Sequence, residues 1–176
     1  MRVLAVDTAT PYLVLGTLEA ELALRVDRGH NARLAEAVRA FLGETGTEPE
    51  ALQAVVAGQG PGSYTGLRVG LAFAQGLARA LGIPAVGVDT LAAVAARGRG
   101  TVVPGLTARN RQVYAAGYQT GEEPRLEWGP EKLDLGAYLA RPGCHLLDLP
   151  PSGRALARLG LARLRAGERG FRPHYL

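Results

Sequence analysis

The chain of 176 residues contains one cysteine and three histidines, so it is poor in two of the side chains that most often serve catalysis and metal binding. Cys144 is the only cysteine, which excludes an internal disulfide and favours a reducing compartment. His30, His145 and His174 are scattered without metal-ligand spacing. Ser63 directly follows Gly62 and lies three residues before Gly66, so it lacks the G-x-S-x-G spacing of a nucleophile elbow. The sequence therefore predicts no catalytic residue and no metal site.

Long apolar runs are also missing. No stretch approaches the ~20 residues needed to cross a bilayer, and residues 1–7 enter a strand pattern directly, without the apolar core of a signal peptide. We therefore expect a cytoplasmic protein with no membrane contact. The formal charge, 20 − 16 = +4, is a weaker basic excess than a dedicated nucleic-acid binder usually carries.

Apolar periodicity predicts an α/β fold. The expected strands are residues 2–6, 12–18, 22–26, 54–57, 83–88, 101–106, 112–118 and 145–149, and the expected helices are 32–41, 65–81, 89–96, 135–141 and 152–165. Three meandering strands followed by helical crossovers give a mixed sheet covered by helices. The Arg-Gly repeat at 97–100 suggests a boundary, so we predict subdomains at 1–98 and 99–176, the second one reduced.

A glycine-rich turn at residues 58–70 links a predicted strand to the strongest predicted helix. Such a turn can hold an anion at the helix N-terminus. However, a Walker loop starting at Gly60 would need its second glycine at Thr65 and a lysine next to it, and neither is present. Three interpretations remain: a sharp structural turn, a phosphate site, or a contact with a partner. Asp7 and Thr8, after the first strand, are a second candidate for holding a metal-bound phosphate or for satisfying a turn.

Small residues recur every four positions in the helix that follows, at Gly66, Gly70, Ala74 and Ala78. Glycine within a helix costs about 1 kcal/mol relative to alanine, so close packing should offset that cost. The other face is also apolar, and a helix apolar on two faces is usually covered on both. We favour a partner interface for the small-residue stripe, and packing on the chain's own sheet is the alternative.

Arginines crowd the C-terminal segment, at positions 154, 158, 163, 165, 169 and 172. They could neutralise nucleic-acid phosphates. The alternative is an ordinary solvated basic face, which we favour.

Four segments together resemble the TsaB family, also called YeaZ. These are residues 1–10, the loop 60–70 (GPGSYTGLRVG), the run 82–91 (GIPAVGVDTL) and residues 108–114 (ARNRQVY). The resemblance covers residues 1 to about 118, and Pro173-His-Tyr175 is similar to the tail of the family. It departs at Thr107-Ala-Arg109, where the family usually has Asp-Ala-Arg, and in the short second half.

The resemblance implies an actin-like ATPase (ribonuclease H-like) fold of two subdomains. It also implies a non-catalytic scaffold that activates TsaD, assisted by TsaE, for threonylcarbamoyl transfer to the tRNA adenosine 3′ of the anticodon. Pairing with TsaD, or with a second copy when alone, is expected through the first two helices. The residues expected at that interface are Leu34, Val38, Phe41, Leu67, Gly70, Leu71, Ala74 and Gln75.

The isolated chain is expected to bind no cofactor, because the loop lacks a lysine. ATP or ADP with magnesium is expected only at the surface shared with TsaD. The candidate cofactor-binding residues are Asp7, Thr8, Gly60, Gly62 and Ser63. The alternative function is a small actin-like ATPase or kinase that uses Asp7 and the 58–70 loop.

Overall fold

Residues 1–26 and 30–175, which the computed structural model describes, form two mixed sheets. The five strands of the first sheet are β1 (Val3–Asp7), β2 (Tyr12–Gly16), β3 (Glu21–Arg25), β4 (Ala54–Gly58) and β5 (Ala85–Val88), in the order β3-β2-β1-β4-β5. The hairpins β1–β2 and β2–β3 are antiparallel, whereas β4 and β5 join β1 in parallel. β1 and β4 are buried along their whole length, which explains their continuous apolar sequences.

Helices cover both faces of this sheet. One face carries α1 (His30–Glu44) and α2 (Tyr64–Leu81), and the other carries α5 (Gly153–Arg165). Side chains of β1 alternate between the two cores: Leu4 and Val6 meet α1, while Val3 and Ala5 meet α5. A 3-10 turn at Pro49–Ala51 leads from α1 into β4.

The second sheet contains β6 (Gly100–Thr107), β7 (Gln112–Thr120), β8 (Arg125–Asp134) and β9 (Cys144–Leu147), in the order β8-β7-β6-β9. Only the β6–β9 pairing among these is parallel. The helix α3 (Thr90–Ala95) packs on one face, and α4 (Leu135–Leu139) packs on the other through buried Tyr138.

The predicted α/β fold with two mixed sheets is confirmed, and most elements lie within a few residues of their expected bounds. β8 was not predicted, because Glu127, the Gly129-Pro130 pair and Glu131 interrupt its apolar pattern. The division at residues 98 and 99 stays a prediction. In the structure α5 comes from the second half of the sequence and packs on β1, β2 and β4 of the first sheet.

Candidate functional site

The candidate site lies where the parallel strands β1, β4 and β5 end. Asp7 ends β1, Gln59 follows β4 and Asp89 follows β5. Open α/β sheets usually bind their ligands outside the carboxyl ends of such strands. The glycine loop leaves β4 at this edge and opens α2, so the structure brings together the two candidate segments of the sequence.

Asp7 is fully buried and bonded on both carboxylate oxygens. Its Oδ1 accepts from the Ala9 amide at 2.8 Å, and its Oδ2 accepts from the Thr90 hydroxyl at 2.7 Å. The Thr90 Oγ1 in turn accepts from the Gly60 amide at 3.1 Å. Burial raises the pKa of Asp7 to about 6, and the bonds from Thr90 and Ala9 limit the rise. Asp7 thus joins β1, the glycine loop and α3.

The loop itself is held by the turn after β1. Gly60 has a φ of +89°, which a side chain rarely tolerates, and the Gly60–Pro61 peptide bond is cis. The Ser63 amide donates to the Ala9 carbonyl at 2.7 Å, and the Ser63 hydroxyl accepts from the Gly66 amide at 3.2 Å. Ser63 is therefore the N-cap of α2. A Cβ at Gly62 would overlap the Ala9 carbonyl, so the two turns pack backbone to backbone.

These contacts do not fit a magnesium-bound nucleotide on this chain. Asp7 and Thr8 are 0% and 1% exposed, and the Thr8 hydroxyl donates to the Gly66 carbonyl at 2.6 Å. The Gly60 amide is already bonded to Thr90. Within the described residues, no group of three or more acidic, histidine or cysteine side chains could hold a metal ion. Of the candidate cofactor-binding residues, only Gly62 and Ser63 reach the surface.

The small-residue stripe of α2 faces the chain's own first sheet, so its interpretation as a partner surface is wrong. Gly66, Gly70, Ala74 and Ala78 are all buried. A Cβ at Gly70 would lie 2.5 Å from the Thr8 Oγ1, and Ala74 and Ala78 pack against β4. The expected interface residues Leu34, Val38, Phe41, Leu67, Gly70 and Ala74 are thus core residues, and only Leu71 and Gln75 are partly exposed.

On the outer surface of the two helices that cover one face of the first sheet, a groove runs between α1 and α2. It has a volume of about 490 Å³ and is lined by Leu34, Ala35, Tyr64, Thr65, Arg68, Val69, Ala72 and Phe73. Of these residues, Leu34 alone was predicted at the interface. The signal for the others was the apolar side of α2 opposite the glycines, and the prediction used only the leucines of that side and Gln75.

Residues 170–175, which we call the strap, cross the edge of the first sheet where β4 and β5 end. The sequence did not predict this position. Gln59 links them to the loop: its Oε1 accepts from the Arg172 amide at 2.9 Å, and its carbonyl accepts from the His174 amide at 2.9 Å. The Gln59 amide nitrogen Nε2 and the His174 Nε2 both lie within 3.0 Å of the Asp89 Oδ1. The Arg163 guanidinium lies 3.7 Å from the Asp89 Oδ2.

The remaining C-terminal arginines face outwards. Arg154, Arg158 and Arg165 are exposed on α5. Their exposure agrees equally with the solvated basic face and with a contact to phosphates.

The two mixed sheets, their covering helices and the closed glycine loop define a two-sheet α/β protein. Residues 24–151 match the model of the family described as "TsaD: tRNA N6-adenosine threonylcarbamoyltransferase". YeaZ from Pseudomonas aeruginosa has a similar structure, with a TM-score of 0.88 and 28% sequence identity over 99% of both chains.

Two relatives are described as tRNA threonylcarbamoyladenosine biosynthesis protein TsaB. The one from Escherichia coli K12 is 38% identical over 132 residues, which are 69% of this chain and 57% of that protein. The one from Bacillus subtilis 168 is 37% identical over 127 residues, which are 68% of this chain and 56% of that protein. The chain belongs to the matched family and, among its members, to TsaB, which is also called YeaZ.

The chain spans less than three fifths of the length of these two relatives. It spans nearly the whole of the Pseudomonas YeaZ chain. Among the described residues, no helix is long and apolar enough to cross a membrane.

Proposed function

We propose that this chain is a non-catalytic subunit that pairs with TsaD and activates it for threonylcarbamoyl transfer to tRNA. The single observation that carries the proposal is the contrast between the two parts of the candidate site. The Asp7 carboxylate and the Thr8 hydroxyl, which could serve catalysis, are already hydrogen-bonded within the chain. Beside them, an apolar groove between α1 and α2 stays exposed.

The groove has the composition of a protein-binding surface. Its apolar walls are Val69, Ala72 and Phe73, and its polar end carries Tyr64 and Arg68. Tyrosine and arginine are enriched among the residues that dominate binding energy at interfaces. Because α1 and α2 pack on the first sheet, the groove lies on a rigid support and is present before the partner arrives.

Within this proposal TsaE joins the pair, tRNA reaches the chain through the complex, and the same helices form a homodimer when TsaD is absent. The proposed compartment is the cytoplasm, where tRNA is modified. A nucleotide at the surface shared with TsaD would need polar groups from that partner, because both oxygens of Asp7 are already bonded within this chain.

The direct test measures threonylcarbamoyl transfer to tRNA by purified TsaD, with and without this chain. The proposal predicts a clear rise in rate when the chain is added. Equal rates in both reactions would rule it out.

A matched pair of variants tests the groove itself. Ala72→Glu places a charge in the groove, whereas Ala80→Glu makes the same change at an exposed position of the same helix outside it. We expect Ala72→Glu to weaken TsaD binding more than tenfold, since burying an unpaired charge is costly. Ala80→Glu should bind like the wild type. Equal affinities for the two variants would place the interface elsewhere.

A further inference from the structure

The chain passes twice between its two sheets. The first crossing is residues 89–99, which include α3 and join β5 to β6, and the second is residues 148–152, which join β9 to α5. Because α5 returns to the first sheet, both crossings have to bend if one sheet moves against the other. Such motion is the default between two units unless a large apolar interface joins them. The contacts at the crossings therefore govern how freely the sheets can move.

The apolar contact between the sheets is built mainly from small side chains of α3. Its Ala92 and Ala95 pack on the second sheet, whereas Ala93 belongs to the core beneath α5. Leu159 of α5 is the larger side chain that touches both cores. Hydrophobic stabilisation scales with the apolar area that is buried, and an alanine buries little. A polar restraint beside this contact therefore matters for how firmly the sheets are joined.

Arg97 bonds the first crossing to the second. Its Nε donates to the Pro150 carbonyl at 2.6 Å, and its Nη2 donates to the Pro151 carbonyl at 3.2 Å. Beside it, the Ser152 amide donates to the Ala93 carbonyl at 3.0 Å. A planar guanidinium is preorganised, so it loses little freedom for each bond that it forms. Three hydrogen bonds thus join the two crossings directly.

Glu21, in the edge strand β3, ties both crossings to the first sheet. Its Oε1 lies 3.6 Å from the Arg97 Nη2. Its Oε2 accepts from the Ser152 hydroxyl at 2.7 Å and from the Arg154 amide at 3.0 Å. That amide lies in the first turn of α5, where the helix dipole favours a carboxylate. Burial opposes the charge of Glu21, but these bonds and the two arginines outweigh it and lower the pKa of its carboxyl.

The start of α5 also packs backbone to backbone on β2. A Cβ at Gly153 would overlap the Leu15 carbonyl, and a Cβ at Gly16 would overlap the Gly153 carbonyl. Gly16 is the partner of Glu21 in the β2–β3 ladder. The start of α5 is therefore fixed beside Glu21, and Arg97 is the group that fastens the first crossing to it.

We propose that Glu21 and Arg97, which we call the clasp, lock the hinge between the two sheets so that the chain moves as one body. Breaking the clasp frees the second sheet to move against the first. A locked hinge fits a subunit that presents a fixed surface, whereas two-lobed enzymes close around their ligands. The inference concerns the chain by itself and does not depend on TsaD.

The test measures the distance between the sheets in solution by pulsed electron paramagnetic resonance. One nitroxide label is carried by Cys144, which is the only cysteine and is exposed in the second sheet. The other is carried by Ala80→Cys, at an exposed position of α2 on the first sheet. Dilution with unlabelled chain restricts the signal to distances within one molecule. We expect a single narrow distribution of distances when the clasp is intact.

Two variants break the clasp, and each has a matched control. Arg97→Ala removes the guanidinium, and Arg99→Ala makes the same change at an exposed arginine two positions further on. Glu21→Ala removes the carboxylate, and Glu19→Ala does the same at an exposed position just before β3. Circular dichroism and urea unfolding check that each variant is folded.

Both clasp variants should broaden the distance distribution at least about twofold. They should also raise amide hydrogen exchange at residues 96–100 and 148–152 at least about fivefold, because these segments bend when the hinge moves. Both control variants should match the chain with an intact clasp.

Distances and exchange that stay unchanged in both clasp variants would overturn the proposal, because the packing of α3 would then hold the sheets without the clasp. Equal broadening in a clasp variant and its control would also overturn it, since loss of any nearby charge would then loosen the hinge. If Glu21→Ala does not fold, the arginine pair alone decides. Loss of Arg97 still leaves Glu21 bonded to the Ser152 hydroxyl and the Arg154 amide.

Discussion

Alanine at Gly70 and alanine at Gly76 should change the stability of the protein in opposite directions. Both glycines lie within α2, where alanine is favoured over glycine by about 1 kcal/mol. Around Gly76 a Cβ would meet nothing within 4 Å, so Gly76→Ala should stabilise by about 1 kcal/mol. At Gly70 the new Cβ would lie 2.5 Å from the Thr8 Oγ1. Overpacking of this kind usually costs about 1–3 kcal/mol.

The clash at Gly70 has a second cost, because the Thr8 hydroxyl donates to the Gly66 carbonyl at 2.6 Å. Moving Thr8 weakens that bond, which is worth about 0.5–1.5 kcal/mol. After subtracting the gain in helix propensity, Gly70→Ala should lower the free energy of unfolding by about 1–3 kcal/mol. The two variants should therefore differ by about 2–4 kcal/mol, which corresponds to several degrees in Tm.

Urea unfolding followed by circular dichroism measures this difference, provided that the slope with denaturant stays constant. If Gly70→Ala stabilised the protein as much as Gly76→Ala, the small-residue stripe would not face Thr8. That result would restore the stripe as an exposed surface and would refute the packing described for α2.

Three other results are expected. Burial raises the pKa of Asp7 from 3.8 to about 6, which favours its protonated form in the folded protein. The resulting stabilisation is complete below about pH 3.8 and is lost as the pH rises through about 6. The free energy of unfolding should fall by about 3 kcal/mol across this window. The unfolding free energy of the wild type minus that of Asp7→Asn should therefore fall with rising pH across this window, and parallel curves would contradict the burial. Gln59→Ala should raise amide hydrogen exchange at residues 58–64 and 170–174 at least about tenfold, because it releases the strap; unchanged protection in both segments would mean that Gln59 does not hold it. Ala35→Glu in the groove should weaken TsaD binding, whereas the exposed Ala40→Glu on the same helix should not; a loss in both variants would indicate a general charge effect.

Local signals made α2 predictable. Ser63 caps its first turn, and Gly82 ends it in the left-handed conformation with a φ of +65°. Both signals act within a few residues of the helix ends, so the sequence alone locates them. The same holds for β1 and β4, whose continuous apolar sequences reflect burial on both faces.

The side of α2 that meets the sheet was not predictable in the same way. Both sides of the helix are apolar, so periodicity could not decide between the glycines and the opposite face. The structure decides through Thr8, which is 58 residues from Gly66 and contacts it directly. Gln59 and His174 were missed for a related reason, because their contact depends on where the strap crosses the end of β4.

The decisive measurement is the rate of threonylcarbamoyl transfer to tRNA by TsaD, with this chain absent, present as the wild type, or present as Ala72→Glu. We expect a faster reaction with the wild-type chain and no gain with Ala72→Glu, while Ala80→Glu should act like the wild type. If the reaction is equally fast without the chain, or if Ala72→Glu stimulates it fully, the chain does not activate TsaD through the groove.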